Sequence, residues 1–107
     1  KLKVERLSKY PRVQRDISII IDDEINFEQI KNTTKKCAPI LISSIELFDE
    51  YKGKGIPSGK KSYALSISLI DKSKTLTEKI IEKTISKIIK KLIEKFGATL
   101  REWYLFD

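Results

Sequence analysis

The chain has no histidine, and Cys37 is its single cysteine. Those two absences remove much catalytic chemistry. No Ser-His or Cys-His pair can form, so nucleophilic catalysis of the triad type is excluded. A structural zinc site would need thiols or imidazoles that the chain does not have. One cysteine cannot build an internal disulfide framework, and a free thiol is compatible with a reducing, cytoplasmic setting. Long hydrophobic runs are also missing. Ile19 to Ile21 is typical of the aliphatic stretches, far short of a membrane span, so no membrane partner is expected. No charged-then-apolar leader opens the sequence, and the first residue is Lys1, which suggests a fragment or a processed chain.

What is present is a charge-rich but globular composition, with 40% hydrophobic and 35% charged residues in 107. A chain of this size buries roughly 60–70% of its unfolded surface and can hold one modest core. Net charge is +7, which favours an anionic partner, nucleic acid first. Eighteen of the 22 cations are lysines, and isoleucine is equally abundant. That pairing is also what an AT-rich coding sequence produces, so charge alone does not establish nucleic-acid binding.

Residues 1–14 are basic and interrupted by Pro11, which reads as an N-terminal arm preceding a domain over 15–107. In 15–22, Ile17, Ile19 and Ile21 recur at period two, the signature of a strand. Asn26 and Gln29 form a capping box for a short helix over about 26–37, with Ile30, Thr34 and Cys37 inward. Pro39 ends it. Residues 42–51 are rich in β-branched and aromatic side chains and form a second strand. Gly53, Gly55, Pro57 and Gly59 then mark a loop. In 61–70, Tyr63, Leu65, Ile67 and Leu69 alternate with Ser62, Ala64, Ser66 and Ser68. Either Thr75, with Glu78, or Thr77 caps a long helix that Gly97 closes. Its apolar stripe is Ile81, Ile85, Ile88, Ile89, Leu92 and Phe96. Residues 98–106 form a last strand. The order β-α-β-β-α-β predicts an α+β, ferredoxin-like sandwich: a four-stranded antiparallel sheet with two helices on one face and the other face open.

Three features offer chemistry. GKGIPSGKK suggests a phosphate loop but leads into a strand, so no helix N-terminus faces a phosphate. Lys52, Lys54, Lys60 and Lys61 make that loop either a flexible basic hairpin or a tracker of an RNA backbone, the latter favoured by the aromatic and the polar face beside it. Tyr51, Asp49 and Ser62 could form a single-base pocket: a ring to stack on, a carboxylate and a hydroxyl. On residue types alone, Tyr51 capping the core is the better reading. Lys79, Lys83, Lys87, Lys91 and Lys95 follow at intervals of four, with Lys90 beside them, and read first as a solvated helix face. Asp22-Asp23-Glu24 reads as a turn feeding the first helix, not as a cation site.

Four strings, in order and spacing, resemble a known family: SKYPRVQRDISIIID, IELFDEYKGKGIPSGKKSYALSISL, the TLTE opening the long helix, and the closing KFGATLR. The family is the ferredoxin-fold anticodon-binding domain that ends the β subunit of bacterial phenylalanyl-tRNA synthetase. The resemblance covers roughly residues 7–101. It implies contact with the anticodon stem-loop of the phenylalanine tRNA, with a base stacked on Tyr51 and polar contacts from Asp49 and Ser62. Arg12, Arg15 and the loop lysines are extrapolated to nearby phosphates. The resemblance also implies that this chain is not an enzyme by itself and holds no cofactor. ATP, magnesium and phenylalanine would be handled by the α subunit of the parent α2β2 heterotetramer. The family pattern stops near GATLR, so residues 102–107 form an extra aromatic tail that either extends the last strand or lies over the sheet. The alternative on the same fold is a protein-interaction or regulatory module without RNA binding.

Overall fold

The computed structural model describes residues 11–103, with backbone alone at 102 and 103. The N-terminal arm lies mostly, and the end of the tail wholly, outside the described residues. The elements are β1 (Val13–Asp22), α1 (Phe27–Cys37), β2 (Ile42–Tyr51), β3 (Lys60–Leu69), α2 (Glu78–Phe96) and β4 (Thr99–Trp103). The four strands form one antiparallel sheet in the order β2-β3-β1-β4, the ferredoxin-like arrangement expected from the element sequence. Val13 and Gln14, assigned to the arm on sequence, begin β1 and pair with Leu69 and Ser68. β4 continues through Trp103, so the start of the aromatic tail extends the strand.

The core lies between the sheet and the two helices. Ile17, Ile19 and Ile21 of β1 and Tyr63, Leu65, Ile67 and Leu69 of β3 point into it. Ile30 of α1 and Ile81, Ile85, Ile88 and Leu92 of α2 meet them. Each fully buried aliphatic chain contributes about 1.5–3 kcal/mol against exposure, which fixes which side of each strand faces inward.

Local chemistry sets the helix ends. Asn26 Oδ1 accepts from Gln29 N at 2.9 Å, and Gln29 Oε1 accepts from Asn26 N at 3.0 Å, completing the capping box. For α2 the cap is Thr77, whose hydroxyl accepts from Ile80 N, and Thr75 stands outside the helix. Glu78 instead pairs with Arg15 at 3.3 Å. Gly97 takes the left-handed conformation, φ +66°, and returns the chain toward β4. Among the described residues no helix is long and apolar enough to cross a membrane.

Candidate nucleic-acid interface

The sheet face away from the helices has a polar floor. Ser18, Ser62, Ser66 and Ser68 lie on its two central strands and are buried, while Gln14, Asp22, Glu46 and Asp49 around them are exposed. The residues of interest gather at one end, where Ile20 of β1 opposes Ser62 of β3 and Ser62 opposes Tyr51 of β2.

Tyr51 reaches that face through a β-bulge. Ile45 and Leu47 oppose Ile67 and Leu65 on the helix side. Strict alternation from Leu47 would send Asp49 and Tyr51 to the same side. The ladder slips between Leu47 and Asp49, leaving Phe48 unpaired. Asp49 then opposes Ala64 and Tyr51 opposes Ser62, both on the open side. A slip in the β1–β4 ladder leaves Arg101 without a partner across it. Its guanidinium extends over the face, donates to Ser62 Oγ at 3.2 Å and lies 5.9 Å from the Tyr51 ring centroid. That distance is near the outer limit of cation–π attraction.

The loop between β2 and β3 holds the ring from its other end. Tyr51 Oη donates to the Lys54 carbonyl at 2.9 Å. Gly53 has φ +133°, a backbone conformation that favours glycine, and it lies against the Tyr51 hydroxyl, which a Cβ there would meet in ordinary contact at 3.4 Å. Tyr51 stays 39% exposed, so its ring remains partly available.

Asp22 and Asp23 clamp this loop to the end of β1. Lys60 pairs with Asp22 and Lys52 with Asp23, each at 2.7 Å. Asp23 N also donates to Gly59 O at 2.9 Å. The hydrogen bond from Lys52 holds the Asp23 carboxyl below its ordinary value, and the same bond raises Lys52. The acidic turn thus serves as an anchor for the basic loop.

The sequence-nominated residues divide accordingly. Tyr51, Asp49, Ser62 and Lys60 share one end of the open face, with Lys52 and Lys54 in the adjoining loop. Lys54 is the loop lysine without an ion pair among the described residues. Lys61 belongs elsewhere: it is 6% exposed, in phase with Tyr63, and its ammonium sits 4.7 Å from that ring. Arg15 also lies on the helix side, opposite Ile67, where it pairs with Glu78 and donates to the Gln14 carbonyl. Arg12 is exposed but precedes β1 at the end far from Tyr51, roughly 25 Å away along the strand. Sequence alone does not single out Arg101, although it closes the KFGATLR string.

The chain is similar to known proteins over most of its length. Residues 8–101 match the family described as ferredoxin-fold anticodon binding domain. The chain is 42% identical over 101 residues to a phenylalanine–tRNA ligase β subunit of Porphyromonas gingivalis, spanning 94% of this chain and 12% of that protein. It is 43% identical over 99 residues to the Clostridium acetobutylicum β subunit, spanning 92% of this chain and 12% of that one. The Geobacillus kaustophilus β subunit is 31% identical over 100 residues, again with 94% and 12% covered. The chain thus spans about an eighth of the length of these relatives. With its ferredoxin-like sheet and a match over nearly its whole length, the chain belongs to the ferredoxin-fold anticodon-binding domain family.

Proposed function

We propose that this chain binds the anticodon stem-loop of the phenylalanine tRNA, as an appended domain of a phenylalanine–tRNA ligase β subunit. Tyr51 supplies the stacking platform. Asp49 accepts hydrogen bonds from a base edge, and Ser62 and Arg101 donate to one. Binding here positions the tRNA for ATP-dependent aminoacylation in the α subunit of an α2β2 complex in the cytoplasm. ATP and magnesium act there and not on this chain. The carrying observation is the held but half-open Tyr51 ring, fixed at its hydroxyl by Lys54 and flanked by Arg101 and Ser62. Aromatic stacking on an unpaired base is the usual basis of single-strand RNA recognition.

The test is a titration of the chain with the anticodon stem-loop of the phenylalanine tRNA and with an unrelated stem-loop. The expected result is clear preference for the first, lost in Tyr51→Ala. Equal affinity for both RNAs, unchanged by that substitution, would sink the anticodon reading, and binding to neither would favour a protein-interaction module.

A further inference from the structure

The positive charge of this domain does not lie on the sheet. The four strands carry six carboxylates against four cations. Two of those cations, Arg15 and Lys61, lie on the helix side, and Lys60 is paired with Asp22. The two helices carry nine lysines and four glutamates. No helix lysine forms an ion pair among the described residues.

The lysines of α2 recur every four residues, and four residues turn an α-helix by 40° beyond one full turn. The row therefore winds around the helix. Midway along, it delivers Lys87 and Lys91 to the side facing α1. There they line a groove of about 380 Å³ together with Lys90 and Glu94 of α2 and Thr33, Lys36 and Cys37 of α1. Four lysines thus line a groove of ligand-pocket size with one glutamate to offset them. Burial pushes the Cys37 thiol up despite Lys87 and Lys91, which keeps it protonated and uncharged at neutral pH. The groove has no anion of its own beyond Glu94.

We propose that the groove between α1 and α2 is a second, sequence-independent RNA contact, in which Lys36, Lys87, Lys90 and Lys91 hold backbone phosphates. It rests on the RNA-binding reading above and extends it. The sheet, whose strands carry more carboxylates than cations, reads bases, while the helical face supplies the electrostatic attraction. The two surfaces lie on opposite sides of the core, so one loop seated at Tyr51 cannot fill both. The groove therefore engages a different stretch of RNA. Lysines suit this task, because an ammonium neutralises a phosphate as a point charge without reading sequence.

The experiment titrates the 107-residue chain with an RNA duplex of unrelated sequence between about 50 and 200 mM salt. Two double variants of equal charge are compared: Lys87→Gln/Lys91→Gln in the groove and Lys72→Gln/Lys74→Gln between β3 and α2. All four lysines are exposed, and circular dichroism checks the fold. The groove variant is expected to flatten the log–log salt dependence by roughly 1.5 units, and the control to leave it nearly unchanged. Bound duplex is also expected to slow alkylation of Cys37 severalfold, a readout confined to the groove. Equal effects of the two double variants, or unprotected Cys37, would overturn the proposal, as would duplex affinity that does not fall as salt rises. Protection of Cys37 by an acidic peptide but not by duplex would assign the groove to a protein partner and overturn it too. Tyr51→Ala is expected to retain duplex binding. Failure of anticodon recognition and failure of the groove contact are therefore read from different variants.

Discussion

Tyr51 donates its hydroxyl hydrogen to the carbonyl of Lys54, three residues ahead in the loop that follows its own strand. The bond fixes the ring before any ligand arrives. It also ties the loop's shape to the position of the proposed stacking surface. A ring already held in its binding orientation loses less freedom on association.

Two substitutions separate the ring from its tether. Tyr51→Ala removes both and is expected to weaken stem-loop binding by about 1–3 kcal/mol. Tyr51→Phe keeps the ring and loses one exposed hydrogen bond, a net effect of about 0.5–1.5 kcal/mol. Binding measured by calorimetry should rank wild type, then Phe, then Ala. If Phe and Ala bind equally, the ring does not stack.

The clamp between Asp22-Asp23 and Lys52-Lys60 predicts a broad pH plateau. Asp23 titrates below its ordinary value of 3.8, so its pairing contributes above the unfolded value and is lost as pH falls through the depressed one. Lys52 titrates above its ordinary 10.5, so its share is present below that value and is lost as pH rises through the elevated one. Hydrogen exchange of loop amides 52–60, corrected for intrinsic rates, should therefore show constant protection between about pH 5 and 9. In Asp22→Asn/Asp23→Asn that protection should fall. The two released lysines should then steepen the salt dependence of RNA binding by roughly 0.7–0.9 units each. An unchanged slope would show that the carboxylates do not restrain these lysines.

Features set by neighbouring residues could be read from the sequence. The Asn26–Gln29 box and the Gly97 terminus each lie within one helical turn, and the alternation in β3 named its buried side correctly. Choosing between Thr75 and Thr77 needed more, because Glu78 is drawn to Arg15, 63 residues away in sequence. The loop lysines looked free because their carboxylate partners sit on the far side of α1 and β2 in sequence. Lys61 resembled its loop neighbours by composition, yet it falls in phase with Tyr63 and is buried. Arg101 gave no signal beyond its place in the closing string, since its contacts with Ser62 and Tyr51 exist only once β4 has paired with β1. Residue types alone favour a core-capping role for Tyr51, and the family resemblance points instead to the open side. The bulge that puts it there is a mismatch between two strands, and neither strand shows it alone.

That mismatch can be tested by changing one residue. Deleting Phe48 removes the extra residue of the bulge, so Asp49 follows Leu47 directly and both Asp49 and Tyr51 stay on the open side, opposite Ala64 and Ser62. Stem-loop affinity should therefore stay close to wild type, with near-native circular dichroism. Phe48→Ala keeps the residue count and the slip, and Phe48 is 57% exposed, so affinity should again stay close to wild type. A deletion variant that loses as much affinity as Tyr51→Ala would mean that the bulge contributes more than the side on which Tyr51 lies.

Arg101 offers the sharpest test of cooperation across the face, because its guanidinium joins β4 to Ser62 on β3 and to Tyr51 on β2. Arg101→Ala removes the cation near the ring and a donor from the site. Arg101→Lys keeps the charge but not the planar fork, so it should recover little of the loss. Ser62→Ala removes the acceptor. If the two side chains act as one unit, the double variant should lose less binding than the two single losses added together. The shortfall would be about 0.5–1.5 kcal/mol, the usual net value of one hydrogen bond. Full additivity would mean that the 3.2 Å contact plays no part in recognition and that each residue meets the RNA independently. Full recovery by lysine would mean that charge alone matters at this position. Arg101 would then be a phosphate contact and not part of the base pocket around Tyr51.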